Sequence, residues 1–341
     1  MIEGTNRQWI LNARPVGALT GAEFRWNEAP IPHAADGQML VRNLWLSFDP
    51  TQRGWMSRDS YVPMVPLGEV MRAFAVGQVI ESRHPAFKSG DLVQGGFGWQ
   101  DYIATDDKAF GGVRKLPAGL APNLALSLFG ITGTTAYFGM IDIGQIKAGE
   151  TVVVSGAAGS TGSVAGQIAK IKGCRVIGTA GGKEKCDWLV KVAGFDGVID
   201  YRSEDIGARL SALCPRGIDV FFDNVGGTVL NEVLARINVK ARIVLCGAIS
   251  RYNETTLPPG PANYFNLTAK RARMEGFIIL DYAPRFSEAF EALGRWQREG
   301  KLVQKEDVAV GLENAPRTLM RLFTGENFGK QLLKIADPPL H

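Results

Sequence analysis

Histidine is the scarcest of the chemically versatile residues in this 341-residue chain, with three copies at His33, His84 and His341. None of them stands near another, or near the four cysteines Cys174, Cys186, Cys214 and Cys246, which form no C-x-x-C pair. A zinc dehydrogenase needs a convergent set of Cys and His ligands with one position left open for substrate, so the sequence predicts no metal site. The same scarcity argues against a nucleophilic triad, since no G-x-S-x-G elbow is present and no histidine is placed to activate a serine. No apolar run approaches the ~18 residues of a membrane span. The stretch Met1-Ile2-Glu3-Gly4-Thr5-Asn6-Arg7-Gln8-Trp9 lacks the charged start and apolar run of a signal peptide. A cytoplasmic protein with reduced thiols and no membrane partner is therefore expected. Excess charge is also small, 38 Lys+Arg against 34 Asp+Glu. With no basic block or aromatic–basic stripe, nucleic acid is not an expected partner.

What is present is an ordinary globular composition, 45% hydrophobic and 21% charged, on a chain longer than the ~250–300 residues of most single cores. Two domains are predicted. Up to about residue 120 the chain reads as short strands broken by Gly, Pro and Asp, including Leu40–Leu46, Phe74–Glu81 and Leu92–Gln94, which suggests a β-rich, barrel-like domain. Leu126–Met140 reads as one apolar helical stretch. Beyond it, β runs alternate with helical runs through 241–247, the rhythm of βαβ units and a parallel sheet. The fold class is thus α/β. The predicted boundaries are 1–123 for the first domain, completed by 310–341, and 124–309 for the second.

The strand Thr151–Ser155 runs directly into Gly156-Ala157-Ala158-Gly159-Ser160-Thr161-Gly162, with Gly166 one helical turn further on. This is a variant of G-x-G-x-x-G with Ala157 in the first glycine's place. A bare turn after a strand lets backbone N–H groups and a helix N-terminus face a pyrophosphate. Gly159 and Gly162 are expected to supply clearance there, and Gly166 to let the helix approach the sheet. The pattern alone is weak; its setting between two strands of one βαβ unit makes it a dinucleotide site. The second strand runs into Gly178-Thr179-Ala180-Gly181-Gly182-Lys183-Glu184-Lys185. NAD sites usually place an acid at this tip, on the ribose 2′-hydroxyl. Here the tip carries no carboxylate and two lysines follow, so NADP is the expected cofactor. Lys185 is the expected 2′-phosphate ligand and Tyr201 its helper; the plain alternative makes Lys183 and Lys185 solvated residues of a surface helix.

Six further stretches carry a likeness. They are Leu46-Ser47-Phe48-Asp49-Pro50-Thr51-Gln52-Arg53-Gly54-Trp55-Met56, Gly98-Trp99-Gln100-Asp101-Tyr102, Gly133-Thr134-Thr135-Ala136-Tyr137, Phe222-Asp223-Asn224-Val225-Gly226-Gly227, Cys246 to Asn253, and Gly325-Glu326-Asn327-Phe328-Gly329-Lys330. In this order they resemble the prostaglandin reductase/leukotriene B4 dehydrogenase-like family, which includes plant alkenal double-bond reductases and bacterial curcumin reductase. The resemblance spans nearly the whole chain. It implies a GroES-like catalytic domain beside a doubly wound Rossmann domain, NADPH, no zinc, and a homodimer formed through the Rossmann domains. It also implies an enone or enal substrate, reduced by hydride transfer to the β-carbon. Thr51 and Gln52 depart from the family, which usually has an aromatic and a methionine after its Asp-Pro. A smaller, more polar substrate wall at Thr51 is therefore expected.

Tyr252 matches the family's tyrosine near the nicotinamide. Its phenol can donate to the substrate carbonyl oxygen, or it only packs against cofactor while water brings the proton. Thr135 is expected at a helix start touching the nicotinamide or a phosphate, with an ordinary cap as the alternative. Asn224 and Asn327 are expected to hold sugar and carboxamide. Gly159, Ser160, Thr161, Gly162, Gly181, Cys246 and Ser250 complete the expected cofactor contacts, and Tyr264 joins Thr51 and Tyr252 as substrate-pocket candidates. Asp49 and Arg53, four apart, suit a structural ion pair. Two rival functions share these features: an NADPH:quinone oxidoreductase, and an NADPH-binding protein without catalysis.

Overall fold

The computed structural model describes residues 3–338, so His341 lies outside the described residues. The chain divides into two compact units. One contains the chain up to Ser127 together with Glu306–Asn327 and the segment from Gln331; the other contains Leu128–Lys305 and Phe328–Lys330.

The first unit is built on an antiparallel sheet around Met39–Ser47. That strand is almost continuously buried, as a central strand flanked on both sides must be. Ala75–Ser82, Leu92–Gly96 and Phe110–Lys115 follow on one side. On the other side lie Lys330–Lys334 and Glu306–Val310, while Tyr102–Thr105 pairs with the start of the central strand. The chain's last strand therefore pairs antiparallel with its third, Leu333 opposite Leu46. A separate ribbon joins Thr5–Leu11 to Phe24–Pro30. The Asp49–Arg53 pair does not form as expected: Arg53 donates instead to Ser57 and, at 2.9 Å, to the carbonyl of Gly17, while Asp49 accepts from Ser47 at 2.6 Å. Both roles are structural.

The second unit holds six parallel strands in the order Gly197–Asp200, Arg175–Ala180, Thr151–Val154, Ile218–Asp223, Ile237–Leu245, Arg273–Gly276. Numbered along the chain this is 3-2-1-4-5-6, the doubly wound arrangement. Its inner strands are rich in apolar residues, as in Thr151–Val154, because both faces are covered. Val152, Val154 and Phe222 point to a layer containing Val164, Ala165 and Ile168. Val153, Phe221 and Ile243 point to the opposite layer with Leu210, Leu230 and Val233. Alternate residues thus feed two cores.

Two elements differ from expectation. The stretch Leu126–Met140 is not one helix; Pro122–Leu126 and Ile131–Phe138 are separate, and a single π-turn, Gly139–Ile143, follows. The chain folds back between them so closely that a β-carbon on Gly133 would fall 1.8 Å from the Leu128 carbonyl oxygen. Hydrophobicity is blind to that break, since the residues on either side are apolar and buried. Beyond the alternation read from the sequence, a short helix, Asn266–Lys270, leads into Arg273–Gly276, the sixth strand. Its sequence, RMEG, is polar because it is the edge, and it carries no strand periodicity. Among the described residues no helix is long and apolar enough to cross a membrane.

Candidate active site

In the parallel sheet the carboxyl ends of strands one to five lie at the same end, where doubly wound sheets bind ligands. Gly156 opens the turn after Thr151–Val154 with φ +58°, a conformation that costs only glycine nothing. The turn closes on itself through Gly159 N–H to the Gly156 carbonyl, 3.0 Å, and is tied to the second strand through Ala157 N–H to Thr179 O, 2.9 Å. The helix Ser160–Ile171 starts at Gly159 with no side chain capping it, which leaves its first N–H groups for a ligand. A β-carbon on Gly159 would meet only the Gly156 oxygen, at 3.2 Å, so this side of the turn is clear. Gly162 has another reason than the clearance expected of it. Its β-carbon would fall 2.4 Å from the Gly156 oxygen, so it lets the helix press against the turn's own backbone. A β-carbon on Gly166, expected to let the helix approach the sheet, would fall 2.0 Å from the Phe195 ring, which packs against the helix there.

Ser160 and Thr161 both lie half-buried in the first helical turn. The Ser160 hydroxyl donates to Thr132 at 2.7 Å, joining the helix Ile131–Phe138 to the turn. Thr135 is the fifth residue of that helix and not at its start, which has its N-cap at Gly130. Phe328–Lys330 runs beside the turn: Gly329, at φ +77°, donates to the Ala158 carbonyl at 3.0 Å. A β-carbon there would collide with the Lys305 carbonyl at 2.0 Å. Phe328 stands edge-on to Trp188, ring centroids 5.6 Å apart, and Asn327 directly precedes it. Sequence reasoning quoted Phe328 and Gly329 within a family-like stretch but gave neither a site role; a glycine beside an aromatic was the available signal.

At the tip of the second strand, Gly181 sits beneath two side chains. A β-carbon on it would be 2.6 Å from the Tyr201 hydroxyl and 2.8 Å from Arg202 Nε. Gly182, with φ +95°, starts the helix Lys183–Lys191, which carries the half-buried Lys185. Lys183 is pointed elsewhere and pairs with Asp187 at 2.6 Å. Gly181 and Tyr201 are thus joined by Arg202, which went unremarked in the sequence because nothing but its place after Tyr201 distinguishes it. Asp200 is an acid close to this tip. Donation from the Gly182 N–H, 2.9 Å, chiefly holds it below the usual carboxylate range and fixes it on backbone amides.

At the switch between strands one and four, Asp223 is fully buried. Its Oδ1 accepts from Ser155 Oγ at 2.7 Å and from the Val225 and Gly226 N–H groups, both 2.9 Å. Burial raises its pKa against these donors. Asn224 folds back to donate to the Ser155 carbonyl, 2.7 Å, so its amide nitrogen braces the strand end. Cys246 lies half-buried after the fifth strand, its thiol pushed up to about 12 by burial and Asp223. Burial likewise pushes Cys174, Cys186 and Cys214 up to about 11, so all four thiols are neutral at physiological pH. Ser250 donates to the Val225 carbonyl at 2.6 Å. The Tyr252 hydroxyl accepts from the Ala248 N–H at 3.2 Å, an arrangement that orients the phenol.

The substrate-pocket candidates fall in different surroundings. Tyr264 is 64% exposed, while Tyr282 packs on Phe138 with ring centroids 4.6 Å apart. In the first unit, the Thr51 hydroxyl is 2.6 Å from that of Tyr61, which accepts from Trp55 Nε1 at 3.2 Å. Among the described residues no group of three or more His, Cys, Asp and Glu is arranged to hold a metal ion. His33 is exposed; His84 packs on Phe87, with Asp107 3.9 Å from its Nε2.

A 3-2-1-4-5-6 parallel sheet with an uncapped glycine turn after its first strand defines a dinucleotide-binding oxidoreductase architecture. Comparison with known proteins agrees. Residues 7–113 match a family model described as the N-terminal domain of oxidoreductase, and residues 160–295 one described as zinc-binding dehydrogenase. The NADPH-dependent curcumin reductase of Escherichia coli is 44% identical over 97% of this chain and 97% of its own. The 2-alkenal reductase (NADP(+)-dependent) of Nicotiana tabacum is 41% identical over 98% of each. The crystal structure of CurA in complex with NADPH from Vibrio vulnificus matches with a TM-score of 0.92 at 44% identity, covering 97% of this chain and all of that one. The chain belongs to the zinc-independent medium-chain dehydrogenase/reductase family, in the branch of the curcumin, alkenal and prostaglandin reductases.

Proposed function

We propose that the protein uses NADPH to reduce the carbon–carbon double bond of α,β-unsaturated ketones and aldehydes. The observation that carries the cofactor reading is the pairing of the uncapped glycine turn with an acid-free second-strand tip, where Gly181 lies under the Tyr201 hydroxyl and Arg202. The residues fit the cofactor. Gly159, Ser160, Thr161 and Gly162 present helix N–H groups to the pyrophosphate, and Lys185, Tyr201 and Arg202 offer two cations and a hydroxyl to the 2′-phosphate. Asn224, Cys246, Ser250, Thr135 and Asn327 are proposed along the remainder. NADPH, when bound, supplies the hydride that adds to the β-carbon.

The chain's own contribution is positional and electrostatic. Tyr252 is oriented by the Ala248 N–H and donates its phenolic proton toward the substrate carbonyl oxygen, where negative charge builds as the double bond is reduced. Neutral thiols keep this chain from adding to an electrophilic substrate. Thr51, bonded to Tyr61, and Tyr264 are proposed as substrate contacts, and a polar hydroxyl pair at Thr51 suits an oxygenated enone. The relatives named for curcumin and 2-alkenal reduction support the substrate class.

The test is consumption of NADPH, followed at its own absorbance, across a panel of enones, enals and quinones. Enone turnover with Tyr252→Phe reduced about 100-fold in kcat supports the reading. Turnover confined to quinones overturns the substrate class, and an unchanged kcat removes Tyr252 as donor.

A further inference from the structure

The second unit has a cleft at the opposite end of its sheet from the glycine turn. It occupies about 480 Å³ beside the amino-terminal ends of strands one, four and five, near Glu150, Asp219 and Ala241. Its walls carry five cations, Lys147, Lys240, Arg242, Arg271 and Arg273, against the two carboxylates of Glu150 and Asp219.

Both acids are already saturated from within. Glu150 accepts from Arg242 Nη1 at 2.9 Å and Nη2 at 2.6 Å, and from the Lys147 N–H at 2.8 Å. Asp219 accepts from the Thr151 N–H and from Asn238 Nδ2, both 2.8 Å. Arg242 is thereby neutralised. Among the described residues the Lys147 and Lys240 ammonium groups and the Arg271 guanidinium have no carboxylate partner. Arg273 donates to the Ile143 carbonyl at 2.5 Å and lies 3.4 Å from Glu275. The cleft therefore holds uncompensated positive charge.

The backbone is deformed to present it. Opposite Ile218–Val220, the fifth strand breaks register between Ile237 and Arg242, and the chain loops out through Lys240, which sits at φ +66°. Arg271 ends its helix at φ +49°, the position where glycine is the common choice. All three non-glycine residues with positive φ among the described residues, Gln145, Lys240 and Arg271, line this cleft. A bulge re-aims a side chain, and strain held at two charged positions points to a use for the charge.

We propose that this cleft is a binding site for a multiply charged phosphate anion, separate from the cofactor site, with Lys147, Lys240, Arg271 and Arg273 as its ligands. Guanidinium forks pair bidentately with phosphate oxygens, and the lysines add point charges. The proposal stands on the cleft's own geometry and does not depend on the reaction assigned above.

The experiment is calorimetric titration of the full chain with pyrophosphate in the presence of saturating NADP+, which blocks the glycine turn. One pyrophosphate per chain is expected, with affinity falling as salt rises. The double variant Lys240→Gly/Arg271→Gly removes two charges while glycine accepts the same backbone conformation. It is expected to bind pyrophosphate about tenfold more weakly or worse, with melting temperature and KM for NADPH unchanged. Heat that disappears once NADP+ is saturating assigns the anion to the glycine turn and overturns the proposal. So does an unchanged affinity in the double variant, or citrate binding as tightly as pyrophosphate.

Discussion

Arg202 illustrates how a single side chain acquires meaning only from its neighbours in space. Its Nε lies 2.8 Å from where a Gly181 β-carbon would be, beside the Tyr201 hydroxyl, at the tip of a strand that carries no acid. A charge-assisted hydrogen bond contributes about 1.5–3 kcal/mol, so Arg202→Ala is expected to raise KM for NADPH about tenfold or more. KM for NADH should not move, because NADH lacks the 2′-phosphate. Steady-state kinetics with both cofactors decides it, and parallel losses for the two would remove Arg202 from the phosphate site. Lys185 and Tyr201 were legible as candidates from the missing acid and the following lysines; Arg202 was not, since a lone arginine in a turn has no pattern. Conversely, Lys183 fitted the same pattern, and the structure turns it toward Asp187.

In the turn and helix from Gly156 to Ile171 the glycines look alike in sequence and separate by what surrounds them. Gly159 has φ −78° and ψ 172° and a single neighbour at 3.2 Å, so alanine fits its backbone and projects toward the ligand side. Gly162 faces a backbone oxygen at 2.4 Å, which cannot move without the turn. Gly159→Ala is therefore expected to keep its melting temperature and weaken NADPH binding. Gly162→Ala should lose about 1–3 kcal/mol of stability, the usual cost of overpacking, seen as a lower melting temperature without ligand. Equal thermal stability of the two variants would contradict this division of labour. The motif's existence was readable from strand, glycines and helix in succession; which glycine serves the ligand and which serves packing depends on atoms brought in by the fold.

For the molecule as a whole, the edge of the parallel sheet is the feature with consequences beyond one chain. Arg273–Gly276 pairs with Ile237–Leu245 on one side and is terminal in its sheet on the other. A terminal strand presents unpaired backbone groups, and Phe265 and Tyr264 nearby in the chain are 68% and 64% exposed. We propose a homodimer through the parallel-sheet unit. Light scattering on the eluting protein is expected to give twice the 36.9 kDa chain mass, and a mass equal to one chain would end that reading.

The alternation of apolar strands with amphipathic helices, the glycine turn and the missing acid were all determined by the sequence alone. Each is a local property, since periodicity, turn chemistry and residue type act over a few neighbouring positions. Only the tertiary structure decided the break between Leu126 and Ile131, the polar sixth strand, the bracing of Asn224 and Ser250 against backbone, and the gathering of Arg202 with Tyr201 over Gly181. Those outcomes depend on atoms from segments remote in the chain meeting at one place, and the energy of a close contact is set by a distance that no pattern of residue letters contains.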